Sequence, residues 1–387
     1  MALKSNILKL MVINFLTGMV FWYAIEKLFM QHIGITPVQM GINVAVLIII
    51  ILLFDVPSGI LADKWNRKYT LILGLISLTV STMLCGISNG YFIYMVGTIF
   101  YGFYVVFTSG TFQAIMYDSL HELGKQKHYD KYQGISYALF LAGVGISSVS
   151  SGYIYSGLGP RWPYYLSVVT SLMTLAVLIL LKEPKFHKPK SDDKLLKHVK
   201  DSTKLVMQNK LIFHLAFFMT IAAILSNSVD DFIGLYFIAL GVSAIAMGYL
   251  SSVASFSHAL GQLIAPKIGR KILKYIPMLF IIFSIFSFLE NTWGLIFVYI
   301  SLLLYATLSN QAEAEIQDNM PSYLRATTIS LISFIKNLIL IPISIAFGWL
   351  VVAKDVFTAF QMIAVIGIAY LVIWALISRK YIKKAYI

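Results

Sequence analysis

The chain has 387 residues, 59% hydrophobic and only 12% charged, with a mean hydropathy of +0.81, whereas a soluble domain is about half apolar and a quarter charged. This is the balance of a multi-span membrane protein, and it leaves almost no chain for a soluble catalytic domain. The single cysteine, Cys85, excludes an internal disulfide framework and a cysteine-ligated metal cluster.

A membrane span needs about 20 apolar residues, and twelve runs satisfy that length. The first, Ile7 to Phe29, follows Lys4 and Lys9, is too long for a signal-peptide core and has no small-residue cleavage site after it, so it is expected to stay in the protein. The next five are Val38 to Leu61, Tyr69 to Ser88, Tyr91 to Tyr117, Gly134 to Gly157 and Pro163 to Leu181. After a polar stretch come Leu211 to Leu240, Ala246 to Ala265, Leu273 to Leu289, Trp293 to Ile316, Ala326 to Val352 and Phe357 to Ile377.

The net charge of +13 could point to nucleic acid, but its placement argues otherwise. Of the 30 basic residues, all but Lys27, Arg161, Lys354 and the intramembrane Lys336 fall on the side of the N-terminus. By the positive-inside rule both termini are cytoplasmic and the number of spans is even, so nucleic acid is not needed to explain the charge. The one long polar connection divides the chain into residues 1–182, a linker at 183–209 and residues 210–387. Within it Leu195, Val199, Leu205 and Val206 alternate with lysines, a pattern that fits an amphipathic helix on the anionic inner leaflet and equally a solvated linker.

The two halves repeat. GITPVQMG (Gly34–Gly41) matches GVSAIAMG (Gly241–Gly248), ADKWNRK (Ala62–Lys68) matches APKIGRK (Ala265–Lys271), and QAIMYDSL (Gln113–Leu120) matches EAEIQDNM (Glu313–Met320), each about 200 residues downstream, in the same order and at the same structural places.

Between the second and third spans, GILADKWNRK (Gly59–Lys68) resembles the signature loop of the major facilitator superfamily, G-x-L-A-D-[KR]-x-G-[RK]-[RK]. The resemblance covers the whole chain and implies an all-α membrane protein of twelve transmembrane helices in two pseudo-symmetric six-helix bundles. DVPSG (Asp55–Gly59) and TSG…YDSL (Thr108–Leu120) resemble bacterial efflux members. Asn66 stands where the family has glycine, and asparagine is the residue that best substitutes in a left-handed turn.

Around this loop a conformational latch is expected. Gly59 would let two helices approach closely, and Asp63 would cap a helix N-terminus, which the family places at the eleventh span. Arg67 would pair with Asp118. Arg270 and Asp318 repeat that pair in the second half, where Asp63 is replaced by Pro266.

Ionisable residues inside spans mark candidate solute or proton sites. Asp230 and Asp231 form a polar stripe with Ser226, Asn227 and Gly234 on the seventh span. Glu26 reads as a headgroup-level residue beside Lys27. Glu313 and Glu315, two residues apart, cannot serve one helix face: one is expected at the cavity and the other at the latch. Lys336, about 16 Å into its span at 1.5 Å per residue, is expected to pair with one of them. His258 is a candidate proton carrier. Tyr101, Tyr104 and Trp22 suggest an aromatic wall for flat or cationic molecules. In the family, spans 1, 4, 7 and 10 line the cavity.

The favoured reading is a secondary transporter in the bacterial cytoplasmic membrane that exports amphipathic or cationic compounds against protons by alternating access. Uptake of an amino acid or sugar is the alternative, and a membrane-embedded enzyme built on His258 ranks below both. Thr98 replaces the arginine and AGVGISSVSSG (Ala142–Gly152) lacks the proline of the family's drug–proton antiporters, which weakens proton antiport. No P-loop or H-E-x-x-H motif occurs, so no cofactor or metal is expected; the partners are a small solute, protons and lipid, and the protein is expected to be a monomer.

Overall fold

A backbone in hydrocarbon must satisfy its own hydrogen bonds, which for apolar runs of this length means helices. In the computed structural model, which describes residues 2–64, 66–184, 195–321 and 324–378, all regular structure is helical. In chain order the helices are α1 (Ala2–Gly18), α2 (Glu26–His32), α3 (Pro37–Lys64), α4 (Arg67–Ile87), α5 (Tyr91–Thr108), α6 (Thr111–Glu122), α7 (Tyr129–Leu158) and α8 (Trp162–Ile179). They continue with α9 (Leu195–Gln208), α10 (Lys210–Ala239), α11 (Ala244–Ile268), α12 (Ile276–Leu289), α13 (Gly294–Asp318), α14 (Arg325–Ala353) and α15 (Val356–Ile373). Eleven helical segments among the described residues are long and apolar enough to cross a membrane. The helix α11, at the place of the eighth run, has 25 residues, enough to span, but Ser251, Ser252, Ser255, Ser257, His258 and Gln262 dilute its hydropathy.

The chain forms two compact units. The first is Met1–Lys190 with Val242–Ser252, and the second is Ser191–Gly241 with Val253–Ile387. In the first, α1 packs on α7 and α8, and α4 on α5 and α8; in the second, α10 packs on α14 and α15, and α12 on α13 and α15. The same pairing recurs, as duplicated halves require. The linker residues described as α9 form a helix that lies on α10 and α14.

Two runs read as continuous are interrupted, both in the first unit. The first crossing opens between Gly18 and Tyr23, and hydroxyls from α7 and α8 satisfy the freed backbone. Ser147 Oγ donates to the Gly18 carbonyl at 3.2 Å, Thr170 Oγ1 to the Met19 carbonyl at 3.0 Å, and the Phe21 N–H donates to Ser167 Oγ at 2.9 Å. The fourth crossing breaks at Ser109–Gly110, where Gly110 has φ +69°, a left-handed conformation that disfavours a side chain. Their counterparts α10 and α13 run unbroken.

Close helix crossings fall at glycines, one at the end of α1 and one within α7. A Cβ at Gly18 would meet the Phe140 carbonyl oxygen, and one at Gly143 the Phe15 carbonyl oxygen, so α1 and α7 touch backbone to backbone. At Gly59 a Cβ would meet nothing within 4 Å, which corrects the expectation of a close approach there. Leu10, Ile13, Leu71, Leu75, Ile115, Met116 and Leu178 form the apolar core of the first unit. In the second, aromatic rings dominate: Phe280 lies 4.8 Å from Tyr370 and Phe232 stacks on Phe347 at 4.3 Å.

Candidate functional site

The loop between α3 and α4 holds the first cluster. Arg67, at the first turn of α4, forms an ion pair with Asp118 of α6, whose side chain is 7% exposed. The N-terminus of α4 is also met by Glu183, beyond α8, which accepts from the Arg67 and Lys68 N–H groups at 3.2 and 2.9 Å. A carboxylate on the first turn of a helix is favoured by the helix dipole, and sequence reading missed this contact because 116 residues separate the partners. Asn66 is extended, with φ −172°, and caps α4 by accepting from the Tyr69 N–H at 3.1 Å. The left-handed turn expected at Asn66 is therefore absent, and only its counterpart Gly269 has positive φ, +73°. The side chain of Asp63 lies outside the described residues.

The second unit repeats the cluster with a different acid set. Arg270 pairs with both Glu315 and Asp318 of α13. Glu315 thus joins the arginine, while Glu313 accepts from Gln317 Nε2 at 2.9 Å one turn along.

Lys336 forms no ion pair among the described residues, which corrects its expected pairing with Glu313 or Glu315. The reason is geometric: α14 packs against α10, α15 and α9, whereas α13 packs against α10 and α12, and both acids already have partners on or beside α13. Lys336 is half-buried.

Asp230 is exposed on α10 and Asp231 half-buried. Near Asp230 lies the Tyr305 hydroxyl of α13, which neighbours Ser226 and Ser309, with Glu313 within electrostatic range. His258 of α11 stacks on Tyr305, ring centroids 5.7 Å apart and 17° between planes. The structure thereby brings Asp230, Ser226, Tyr305 and His258 together. Asn227 is turned away from this role, because its Nδ2 donates to the Ala223 carbonyl of its own helix at 2.6 Å.

Glu26 is half-buried in a polar cluster of the first unit. It and Lys27 are paired at 2.6 Å with side chains 21% and 9% exposed, and Glu26 accepts from the Tyr94 hydroxyl at 2.9 Å, itself 3.1 Å from the Tyr164 hydroxyl. Trp22 stacks on Tyr164 at 5.8 Å and meets Tyr101 edge-on at 5.7 Å. Trp22 is therefore interior packing of the first unit and not an exposed wall, since burying its ring beside Tyr164 removes more apolar surface from solvent. Thr98 accepts from Asn43 Nδ2 at 2.6 Å, a buried contact between α5 and α3.

A cavity of about 230 Å³ lies inside the first unit. It is lined by Asn14 and Thr17 of α1, Leu71 and Leu75 of α4, Tyr104 and Thr108 of α5, Phe112 and Gln113 of α6, and Gln133, Tyr137 and Phe140 of α7, with Ile13 and Leu178. Of the candidate aromatic residues, Tyr104 lines this cavity.

The sequence model of the Major Facilitator Superfamily matches residues 8–344. The chain belongs to this superfamily. Its members are membrane transporters, and this chain is a multi-pass transporter of small solutes. Among its relatives, an uncharacterized superfamily-type transporter of Methanocaldococcus jannaschii is 20% identical over 95% of this chain and 96% of its own. The superfamily-type transporter YxaM of Bacillus subtilis is 24% identical over 61% of this chain and 59% of its own. A point mutant of the nucleoside transporter NupG superposes with a TM-score of 0.81 at 15% identity, covering 96% of this chain and 99% of that one. A D-xylose–proton symporter superposes with a TM-score of 0.70 at 15% identity, covering 97% and 98%. At such identity these structures establish the superfamily fold.

Proposed function

We propose that this chain is a proton-coupled secondary transporter of a small organic solute that works by alternating access in the cytoplasmic membrane, with both termini inside. The observation that carries the reading is Asp230. A carboxylate two-thirds along a membrane-spanning helix, exposed and beside the Tyr305 hydroxyl, Ser226 and the His258–Tyr305 stack, is the group that a transport cycle can protonate and deprotonate. The Arg67–Asp118 and Arg270–Glu315–Asp318 pairs are proposed as cytoplasmic latches that bias the population of one access state.

Export of cationic compounds rests on the resemblance of the DVPSG and TSG…YDSL segments. Uptake of a neutral solute is the second reading, favoured by the cavity of the first unit, whose lining residues carry no carboxylate. A nucleoside transporter and a D-xylose–proton symporter among the structural neighbours fit that reading.

The test is reconstitution. Proteoliposomes would be given labelled uridine, D-xylose or tetraphenylphosphonium under an imposed pH gradient of either sign. Gradient-driven accumulation should disappear in Asp230→Asn while counterflow exchange survives, because an amide cannot change protonation. Accumulation at the normal rate in Asp230→Asn would exclude this acid as the coupling site.

A further inference from the structure

We infer that the cavity of the first unit binds the solute, and that the solute is a single uncharged ring bearing several hydrogen-bonding groups, of monosaccharide or nucleoside chemistry. The inference rests on the transport reading above and names its substrate class.

Lining chemistry is the first ground. Three carboxamides, Asn14, Gln113 and Gln133, come from three different helices and converge on the cavity with the Tyr104 and Tyr137 hydroxyls and the rings of Phe112 and Phe140. Carboxamides both donate and accept, which suits hydroxyl, amide and ring-nitrogen groups without demanding a charge. A cationic solute would need a carboxylate to replace its lost hydration, and none lines this cavity.

The second ground is an unmet hydrogen bond. Gln133 Oε1 is buried and has no partner, an arrangement that costs free energy unless a ligand or water supplies a donor. The threonine hydroxyls nearby do not supply it, because Thr108 Oγ1 donates to the Tyr104 carbonyl at 2.8 Å and Thr17 Oγ1 to the Ile13 carbonyl at 2.7 Å. Asn14 is held in place by the donor bond from its Nδ2 to Ser136 Oγ at 2.7 Å, so its carboxamide is oriented in advance.

Position and size complete the case. Thr17 adjoins the opening of the first crossing, and Thr108 and Phe112 flank the break at Ser109–Gly110. Interrupted helices frame solute sites in transporters because irregular backbone is tolerated in a membrane where it faces a cavity. A volume of about 230 Å³ falls below the ~300–1,000 Å³ of pockets for drug-sized ligands, so it takes one ring and excludes a large amphipathic drug.

The experiment is a binding series on the full-length protein purified in detergent. Thermal stabilisation is measured with neutral monosaccharides, with neutral nucleosides and with the organic cations tetraphenylphosphonium and ethidium, for the native protein, Gln133→Leu, Asn14→Leu and Gln133→Glu. At least one neutral compound should stabilise the native protein, and its affinity should fall roughly three- to tenfold in each leucine variant, the worth of one neutral hydrogen bond. The sugar and nucleoside arms identify the source of the ring. Stabilisation by cations alone, by no neutral compound, or by a neutral compound equally in every variant would overturn the inference. Gln133→Glu keeps the side chain's size and its Oε1 acceptor, so neutral binding retained there but weakened in Gln133→Leu separates a hydrogen-bonding role from a packing defect, and equal weakening in both overturns the acceptor role. Uptake of the compound that binds is then measured in proteoliposomes. Binding without uptake contradicts transport and leaves the site standing, whereas uptake unaltered by Gln133→Leu contradicts the site and leaves transport standing.

Discussion

A buried charge is most costly when only its partner is removed, and Asp118 and Lys27 both meet that condition. With the Asp118 side chain 7% exposed, Arg67→Gln should destabilise the protein by about 3–5 kcal/mol, and Arg67→Gln with Asp118→Asn by less. Thermal unfolding in detergent gives the double-mutant cycle, and strictly additive losses would show that the two residues are not coupled. The second-unit pair is different, because Asp318 is 62% exposed, so Asp318→Asn should change stability by less than about 1 kcal/mol. Glu26→Gln should behave like Arg67→Gln, since it leaves the buried Lys27 ammonium without that carboxylate. Adding Lys27→Met should recover most of the lost stability. If Glu26→Gln alone unfolds at the native temperature, Lys27 does not depend on that carboxylate.

At the scale of the helix, glycine positions separate contact from tolerance. Gly18→Ala drives a methyl into the Phe140 carbonyl oxygen at the α1–α7 crossing, where backbone sits on the other side and cannot rotate away. Gly59→Ala meets open space on α3 and should be neutral or stabilising by up to about 1 kcal/mol, the helix preference of alanine over glycine. Unfolding temperatures of the two variants should therefore move in opposite directions. Gly110→Ala should cost about 1–2 kcal/mol through its left-handed backbone, and Gly110→Asn less. Beyond stability, α6 carries Phe112 and Gln113 toward the cavity and Asp118 toward Arg67. A solute bound at Gln113, as proposed, would pull on the helix that holds the ion pair and link occupancy of the cavity to the proposed latch, with the break at Gly110 as the pivot. Solute affinity measured in Gly110→Asn and in Asp118→Asn tests this link, and affinities unchanged in both would sever it.

For the molecule as a whole, the placement of basic residues predicts which loops face out. Burial of Lys27 against Glu26 strengthens the asymmetry, because it removes one of the few basic residues assigned to the outer side. Replacing the buried Cys85 with serine gives a cysteine-free background for labelling intact cells with an impermeant maleimide. Cysteines introduced at the exposed positions Thr292 and Lys354 should label, and those at Gln126 and Lys271 should be protected until the membrane is opened. The reverse pattern would invert the topology and place the proposed latches outside.

The amino-acid sequence by itself determined the membrane class, the succession of long helices and the repeat. It also indicated the correspondence of Arg67 and Asp118 with Arg270 and Asp318. Those features follow from hydropathy and local spacing, because hydrocarbon forces each apolar run to satisfy its own backbone. Tertiary structure alone decided which partner each buried polar group found. Tyr94 lies 68 residues from Glu26, Glu183 lies 116 from Arg67, and Ser167 lies 146 from Phe21. Lys336 reads as a partner for Glu313 or Glu315 by depth, yet depth along a helix does not give rotation about it or the choice of neighbouring helix. The same holds for the openings at Gly18 and Gly110, since a broken helix survives in a membrane only where distant hydroxyls, a cavity or a left-handed glycine accept the exposed backbone.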